Sequence, residues 1–395
     1  MMNSFFKIDD GKERDYGLDL MRAIAIIGVM FYHFPKEQHN ILLRAFSQLS
    51  YLGVDIFFVL SGYLIGGQVL SRLAAGKNFS FKAFCTRRFL RTLPNYYLIL
   101  ACYMLFYGLE NFDWRYLVFL QNIGGLLHFS HSWSLCVEEH FYIIFPIYIM
   151  VLVKFNKIKK FPYLIFGAIL CAIALRSYNW LHFRPDLVYL EDYSKGFALY
   201  FEHIFYPTYT RLDSIAIGTL LAYAKFFKPR VWERLIAKPN YTLLLSAILF
   251  LLTAALSWTK VKFFASTLSF TFYAISFALL LISLTSPTCY LNKKRIPFIK
   301  SISILSYSLY LTHSFAFLGA VKIANYFGSP GNSWLSWSLL YPCSFILAYV
   351  LYILVEKPVL EFRKKLLWPG QWGPLGAHYG HSRVHVKNLT RDTGR

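Results

Sequence analysis

Ten apolar stretches constrain the fold of this sequence more than any other feature. A helix needs about 20 apolar residues to cross about 30 Å of hydrocarbon, and inside lipid only helices and closed barrels pair every backbone polar group. Hydrophobic residues make up 56% of the chain and charged residues only 15%, which excludes a soluble protein of this length. We therefore predict an all-α, polytopic integral membrane protein with about ten transmembrane helices. The predicted helices lie near 18–34, 51–71, 94–109, 133–153, 161–178, 207–224, 241–258, 263–286, 302–321 and 336–355.

The basic residues predict the orientation of these helices. Lysine and arginine number 41 against 20 acids, a formal charge of +21, but they lie in separate clusters between apolar stretches and do not form a nucleic-acid-binding patch. These clusters alternate with connections that are less basic or carry acids, so the positive-inside rule places both termini in the cytoplasm. The basic clusters are 72–91, 154–160, 225–238, 293–300 and 357–365.

The chain is best interpreted as one membrane domain with a polar end. Residues 1–365 form the predicted domain, and residues 366–395 change abruptly to a Gly- and His-containing composition without a helical period, typical of a disordered tail. The segment 115–127 could be an amphipathic or re-entrant piece. We leave it out of the count of bilayer-spanning helices.

The first stretch carries an arginine and a histidine, Arg22 and His33. Eleven helical positions return to within about 20° of the same face and rise about 16 Å. With a cytoplasmic N-terminus, Arg22 lies in the cytoplasmic third of the membrane and His33 near its outer end. Charged groups are costly within a bilayer and commonly mark a functional site.

Other ionisable residues are predicted at the depth of His33. A histidine beside a carboxylate is suited to general-base catalysis, because the carboxylate orients the imidazole and stabilises its protonated form. The alternative is an ion-pair network that only holds helices together. The predicted neighbours of His33 are Asp55, Glu138, Glu139, Arg211 and Asp213.

Two further features have both a functional and a structural interpretation. Arg87, Arg88 and Arg91 lie in a predicted cytoplasmic loop, where guanidinium groups could bind phosphate, although topology alone also favours arginines there. His313 follows Tyr310 by about one turn in the ninth stretch and could act directly or be a satisfied core group. The other histidines and the six cysteines lack the spacing of a metal site. We expect no metal.

Six segments together resemble the membrane acyltransferase-3 family, which includes O-antigen and other polysaccharide O-acetyltransferases. They occur in the family's order, and the similarity spans roughly residues 17–365. The segments are "GLDLMRAIAIIGVMFYHF", "LGVDIFFVLSGYLI", "RRFLRTLPNYY", "HSWSLCVEEHFYIIFPI", "TRLDSIAIGTLLA" and "SYSLYLTHSF".

The resemblance implies transfer of an acyl group, most often acetyl from acetyl-CoA, to a hydroxyl of a glycan or lipid-linked glycan at a bacterial inner membrane. Arg22 and His33 match the family's Arg-x10-His motif. His140 departs from the family, which commonly has glutamine there. The arginine-rich loop matches Arg87, Arg88 and Arg91, and the Trp-Ser-Leu-x-x-Glu-Glu segment matches Trp133, Ser134, Leu135, Glu138 and Glu139.

These observations lead to a mechanistic hypothesis. The phosphates of acyl-CoA rest near the arginine-rich loop, its arm passes Arg22, and its thioester reaches His33. His33, oriented by Asp55 or by a glutamate of the fourth helix, deprotonates an acceptor hydroxyl of lipopolysaccharide O-antigen or an exopolysaccharide. Residues expected to contact substrate or stabilise the oxyanion are Trp133, Ser134, Arg211, Asp213, Tyr310 and His313.

The sequence leaves open two alternatives to this hypothesis, one for the catalytic route and one for the function. An acyl-histidine intermediate is chemically possible in place of direct transfer. A proton-coupled transporter of an anionic substrate could use the same acids and His33 as a proton relay and the arginines as an anion site.

Overall fold

The computed structural model describes residues 14–33, 41–124, 129–188, 193–329 and 334–366. All regular secondary structure in these ranges is helical. The prediction of an all-α polytopic membrane protein is confirmed. Except for Leu366, the predicted tail lies outside the described residues.

Ten helices of sixteen or more residues occur in these ranges, and each overlaps one predicted apolar stretch. They are α1 (Tyr16–Tyr32), α2 (Gly53–Ala74), α3 (Phe81–Tyr107), α4 (Trp133–Lys154), α5 (Phe161–Val188), α6 (Leu212–Phe227), α7 (Pro239–Leu256), α8 (Ser269–Leu284), α9 (Ile299–Tyr326) and α10 (Trp334–Leu351). Shorter helices connect them, among them Ile41–Ser50, Pro229–Ile236 and Lys357–Leu366.

Six helical stretches of the described chain are long and apolar enough to cross a membrane. The shorter helix α8 is also apolar. The segment left out of the count, 115–127, contains part of the short 3-10 helix Trp114–Val118 followed by turns, and residues 125–127 lie outside the described residues. The six stretches are Phe46–Ala74, Trp133–Lys154, Ile158–Phe183, Pro239–Leu256, Ile299–Tyr326 and Leu335–Leu366.

The start of α1 shows how helix ends meet on one side of the molecule. Asp15 caps α1 by accepting hydrogen bonds from the backbone N–H groups of residues 17 and 18. The Tyr16 hydroxyl donates to the carbonyl of Lys294 and accepts from the N–H of Ile296. Gly17 lies directly against the backbone at the end of α8. The beginnings of α1 and α9 and the end of α8 therefore share one side, as the predicted alternation requires.

Helices α2 and α6 pack backbone to backbone through glycines. A Cβ atom on Gly62 would overlap the carbonyl of Ile215, and one on Gly218 would overlap the carbonyl of Val59. Small residues permit such close approach in membrane helix pairs, where dispersion contacts drive association. This contact brings the first turn of α2, which carries Asp55, against Arg211 at the start of α6.

Candidate active site

The described chain encloses a large cavity on the predicted cytoplasmic side, with an empty volume of about 1000 Å³. Three of the predicted arginines line it, namely Arg22, Arg88 and Arg91. The fourth, Arg87, is not part of the lining. We call this space the inner cavity. Its walls come from α1, α2, α3, α4 and α9, so the site depends on helices that are distant in sequence.

The arginines of the inner cavity differ in their contacts. Arg22 donates to Asp19 at 3.2 Å, a carboxylate that also binds Arg14. The guanidinium of Arg88 lies 5.3 Å from the ring centroid of Tyr142, a cation–π distance. Among the described residues, neither Arg88 nor Arg91 has a carboxylate oxygen within 4 Å. Two guanidinium groups thus line the cavity without a bound counter-charge.

Two adjacent glutamates of α4 also line the inner cavity. Glu138 accepts a short hydrogen bond from the hydroxyl of Tyr142. Glu139 is buried, and its Oε2 atom has no hydrogen-bond partner among the described residues. A buried carboxylate oxygen without a partner is costly. The structure therefore places both glutamates with the arginines and does not place them in the cavity that His33 lines.

A second cavity, with an empty volume of about 520 Å³, lies on the predicted outer side. His33 and Trp133 line it, together with a histidine from the short helix Ser130–Ser132, His131. We call this space the outer cavity. Its remaining lining is mostly aromatic: Tyr32, Tyr51, Phe201, Phe205, Tyr206 and Tyr310, with Val29 and Val54.

Three histidine rings converge beside the outer cavity. The ring centroid of His313 lies 4.9 Å from that of His33 and 5.7 Å from that of His131. His313 is only 3% exposed, and its Nδ1 lies 2.7 Å from the carbonyl oxygen of Tyr310. A carbonyl only accepts, so Nδ1 carries the proton and Nε2 is left as an acceptor. That Nε2 is buried without a partner in the described chain. In the same ranges, no set of side chains is arranged to hold a metal ion.

Tyr310 and Val54 line both cavities and so form their common wall. The Tyr310 hydroxyl donates to the carbonyl of His131. It has one proton, so the Ser134 hydroxyl at 2.5 Å must donate to it. Two hydrogen bonds therefore hold the tyrosine between α9 and α4.

The remaining predicted residues form a separate buried network. Asp55 is fully buried. Both of its carboxylate oxygens accept hydrogen bonds from Nη2 of Arg211 at 2.8 Å, and one also accepts from the Ser214 hydroxyl. Asp213 accepts a hydrogen bond from Nη2 of Arg176 at 2.8 Å. The Arg211 guanidinium also lies 4.1 Å from the ring centroid of Phe270. None of the four ionised groups lines either cavity.

Four residues that lie in or beside these clusters were not predicted from the sequence. They are Arg176, Glu356, His131 and Arg363. Arg176 had a signal, because an arginine in the middle of an apolar stretch needs a partner. Glu356 is buried and accepts hydrogen bonds from Ser308 and Asn95. No local sequence feature marks His131 or Arg363, because their importance depends on which helices are neighbours.

Comparison with known proteins adds an independent finding. The model of the acyltransferase-3 family, described as an acyltransferase domain, matches residues 15–353. The chain belongs to this family. The matched part of this acyltransferase-3 protein includes every residue that lines the two cavities.

Several relatives carry names that mention O-acetylation. The chain is 26% identical over 322 residues to the peptidoglycan O-acetyltransferase OatA of Listeria monocytogenes, covering 75% of this chain and 48% of that one. It is 27% identical over 371 residues to YrhL of Bacillus subtilis, provisionally named a peptidoglycan O-acetyltransferase, covering 87% and 54%. The chain thus spans about half the length of these relatives. No solved structure matches it.

Proposed function

We propose that this protein is a membrane O-acyltransferase that moves an acetyl group from cytoplasmic acetyl-CoA to a hydroxyl of a glycan outside the membrane. One observation carries the proposal: an arginine-lined cavity and a histidine-lined cavity share Val54 and Tyr310 as a wall. Arg22 lies within the first half of α1 and His33 caps its C-terminal end, so eleven positions separate them by about 16 Å along the axis. A long donor that is anionic at one end and reactive at the other suits this arrangement.

The donor phosphates belong in the inner cavity under this proposal. Arg88 and Arg91 line it without contact to any carboxylate in the described part of the chain, so they fit an anionic ligand, and planar guanidinium groups suit phosphate oxygens. Arg22 faces the same space from α1. The thioester end of the donor then extends towards Tyr310 and His33.

His33 is the proposed general base. It takes the proton of the acceptor hydroxyl as the oxygen attacks the carbonyl carbon of the thioester. The new C–O bond forms and the C–S bond breaks, so the CoA thiolate leaves. His33 then returns its proton to the thiolate, which yields an O-acetyl ester and free CoA.

We propose that His313 orients His33 in place of Asp55. The Asp55 carboxylate is fully used by Arg211 and Ser214, whereas the His313 ring lies beside His33 with a buried, acceptor-only Nε2. Because Nε2 of His313 only accepts hydrogen bonds, it favours an N–H donor on the neighbouring His33 ring and stabilises His33 in its protonated form. His313 is therefore a positioning residue.

The proposed acceptor is a hydroxyl group of a glycan. The aromatic lining of the outer cavity suits the apolar faces of a sugar, and the relatives are named for acetylation of peptidoglycan. Peptidoglycan, lipopolysaccharide O-antigen and exopolysaccharide are the acceptors to test. A bacterial cytoplasmic membrane gives the protein access to acetyl-CoA on one side and these glycans on the other.

The test uses His33→Gln with His140→Gln as a matched control. His140 lines neither cavity, bonds Thr208 at 2.7 Å, and occupies a position where the family commonly has glutamine. Wild type and both variants are expressed at equal membrane levels in a strain lacking the native gene. Ester-linked acetyl on each purified glycan is then measured by mass spectrometry.

We expect wild type and His140→Gln to acetylate one of the glycans and His33→Gln to lose about 10²-fold or more of the rate, the usual contribution of a general base. Full activity in His33→Gln contradicts the role of His33. Absence of any acetylated glycan with wild type contradicts the proposed function and favours the transporter.

A further inference from the structure

A further arginine, Arg363 of the last described helix, lies against the arginine cluster of α3 that contributes to the inner cavity. Nη1 of Arg363 lies 3.2 Å from the backbone carbonyl of Arg87, the first arginine of the cytoplasmic cluster. Arg363 is also close enough to interact electrostatically with Arg88 and Arg91. It lies ten residues beyond the end of the family match.

The helix Lys357–Leu366 is held in a fixed position by a buried acid. Glu356, the last residue of the π-helical turn Tyr352–Glu356, accepts from the Ser308 hydroxyl on α9 at 2.7 Å and from the Asn95 side-chain amide on α3 at 3.3 Å. Arg363 follows Glu356 by seven positions, two helical turns, and so lies on the same face. Among residues 361–366 it is the one side chain that is partly buried.

These contacts bring three guanidinium groups together, and the glutamates of the inner cavity, Glu138 and Glu139, attract Arg88 from a longer distance. Arg88, Arg91 and Arg363 have no carboxylate oxygen within 4 Å among the described residues. Glu356 attracts Arg363 from a longer distance. Like charges held together at a partly desolvated site repel one another, and an anionic ligand relieves that repulsion.

We propose that Arg363 is a phosphate-binding residue of the donor site and acts together with Arg88 and Arg91. This inference rests on the proposed function and deepens it. The helix Lys357–Leu366 then serves the chemistry directly: Glu356 anchors it to α3 and α9, and Arg363 supplies a guanidinium to the negatively charged end of acyl-CoA.

The test compares Arg363→Gln with Lys365→Gln in the full chain, reconstituted in lipid nanodiscs. Both changes remove one positive charge from the same helix, but Lys365 is exposed and two positions away, on the opposite face. Isothermal titration calorimetry gives the dissociation constants for CoA and for pantetheine, which lacks the phosphates. Thermal unfolding of each variant shows whether the fold is retained.

We expect Arg363→Gln to weaken CoA binding about tenfold or more, as for the loss of a hydrogen bond to a charged group. Pantetheine binding and the unfolding midpoint stay the same, and Lys365→Gln binds CoA within twofold of wild type. Unchanged CoA binding in Arg363→Gln overturns the inference, as does equal weakening of CoA and pantetheine. A wild-type protein that binds no CoA overturns the proposed function itself.

Discussion

Two groups of ionised side chains lie within the helical part of this protein, and they differ in how their charges are matched. In the network of Asp55, Arg211, Asp213 and Arg176, each carboxylate contacts a guanidinium at 2.8 Å, and all four residues are at most 1% exposed. In the inner cavity, Arg88 and Arg91 contact no carboxylate of the described residues, and within the same ranges one oxygen of Glu139 has no hydrogen-bond partner.

We interpret the difference as a structural role for the first group and, under the proposed function, a binding role for the second. The first group joins α2 to α6 and α5 to α6, and its four residues line neither cavity. The second group surrounds a cavity, where charges without partners are available to a ligand. Residue type alone does not distinguish the two groups, because both consist of arginines and acids inside apolar stretches.

The largest expected effect comes from breaking the matched network. Arg211→Met leaves the Asp55 carboxylate buried and without its ion-pair partner, so we expect a loss of about 3–5 kcal/mol in the free energy of unfolding. The measurement is the unfolding midpoint of the protein in detergent, followed by fluorescence-detected size-exclusion chromatography. Arg91→Met, the same change in the inner cavity, is expected to keep the wild-type midpoint.

The double variant Arg211→Met with Asp55→Leu sharpens this prediction. It removes the unpaired carboxylate together with the arginine, so part of the lost stability should return. Equal midpoints for Arg211→Met and Arg91→Met would show that the matched network contributes no more to the fold than the cavity charges do.

A smaller effect of the opposite sign is expected in the inner cavity. Glu139→Gln removes a buried charge whose Oε2 has no partner, so the unfolding midpoint should stay the same or rise. Glu138→Gln is the matched control. It weakens the charge-assisted bond from Tyr142 and should lower the midpoint. A lower midpoint for Glu139→Gln than for Glu138→Gln would contradict this assignment.

The smallest effect is expected for a partly exposed pair outside the helices that cross the membrane. Hydrogen bonds from the Arg115 side chain and backbone lower the pKa of Asp113. Its contribution is present above the ordinary aspartate pKa of about 3.9 and disappears as the pH falls through the lower, folded value. Asp113→Asn should therefore cost under about 1 kcal/mol at neutral pH.

The pH series supplies the check on that pair. The difference in unfolding midpoint between wild type and Asp113→Asn should shrink as the buffer is taken below pH 4. A difference that persists at low pH, or that exceeds the effect of Arg211→Met at neutral pH, would mean that partly exposed and fully buried pairs contribute alike.

Much of the fold was predictable because hydrocarbon imposes a simple length and polarity rule. The all-helical architecture is confirmed in the described residues, and each predicted stretch overlaps a long helix. Arg22, Arg88, Arg91 and His33 line cavities, whereas Arg87, which belongs to the same predicted cluster, does not. The partner of His33 was not predictable, because carboxylates at similar depth can face different neighbours.

The sequence by itself determined where helices form and which costly polar residues enter them, since both depend on local composition and on the period of one helix. Only the tertiary structure decided how those residues pair. Asp55 meets Arg211 across 156 positions because two glycines let α2 and α6 touch. His313 reaches His33 because α9 packs against α1. Helix rotation and neighbour choice are collective properties of packing, which no single segment encodes.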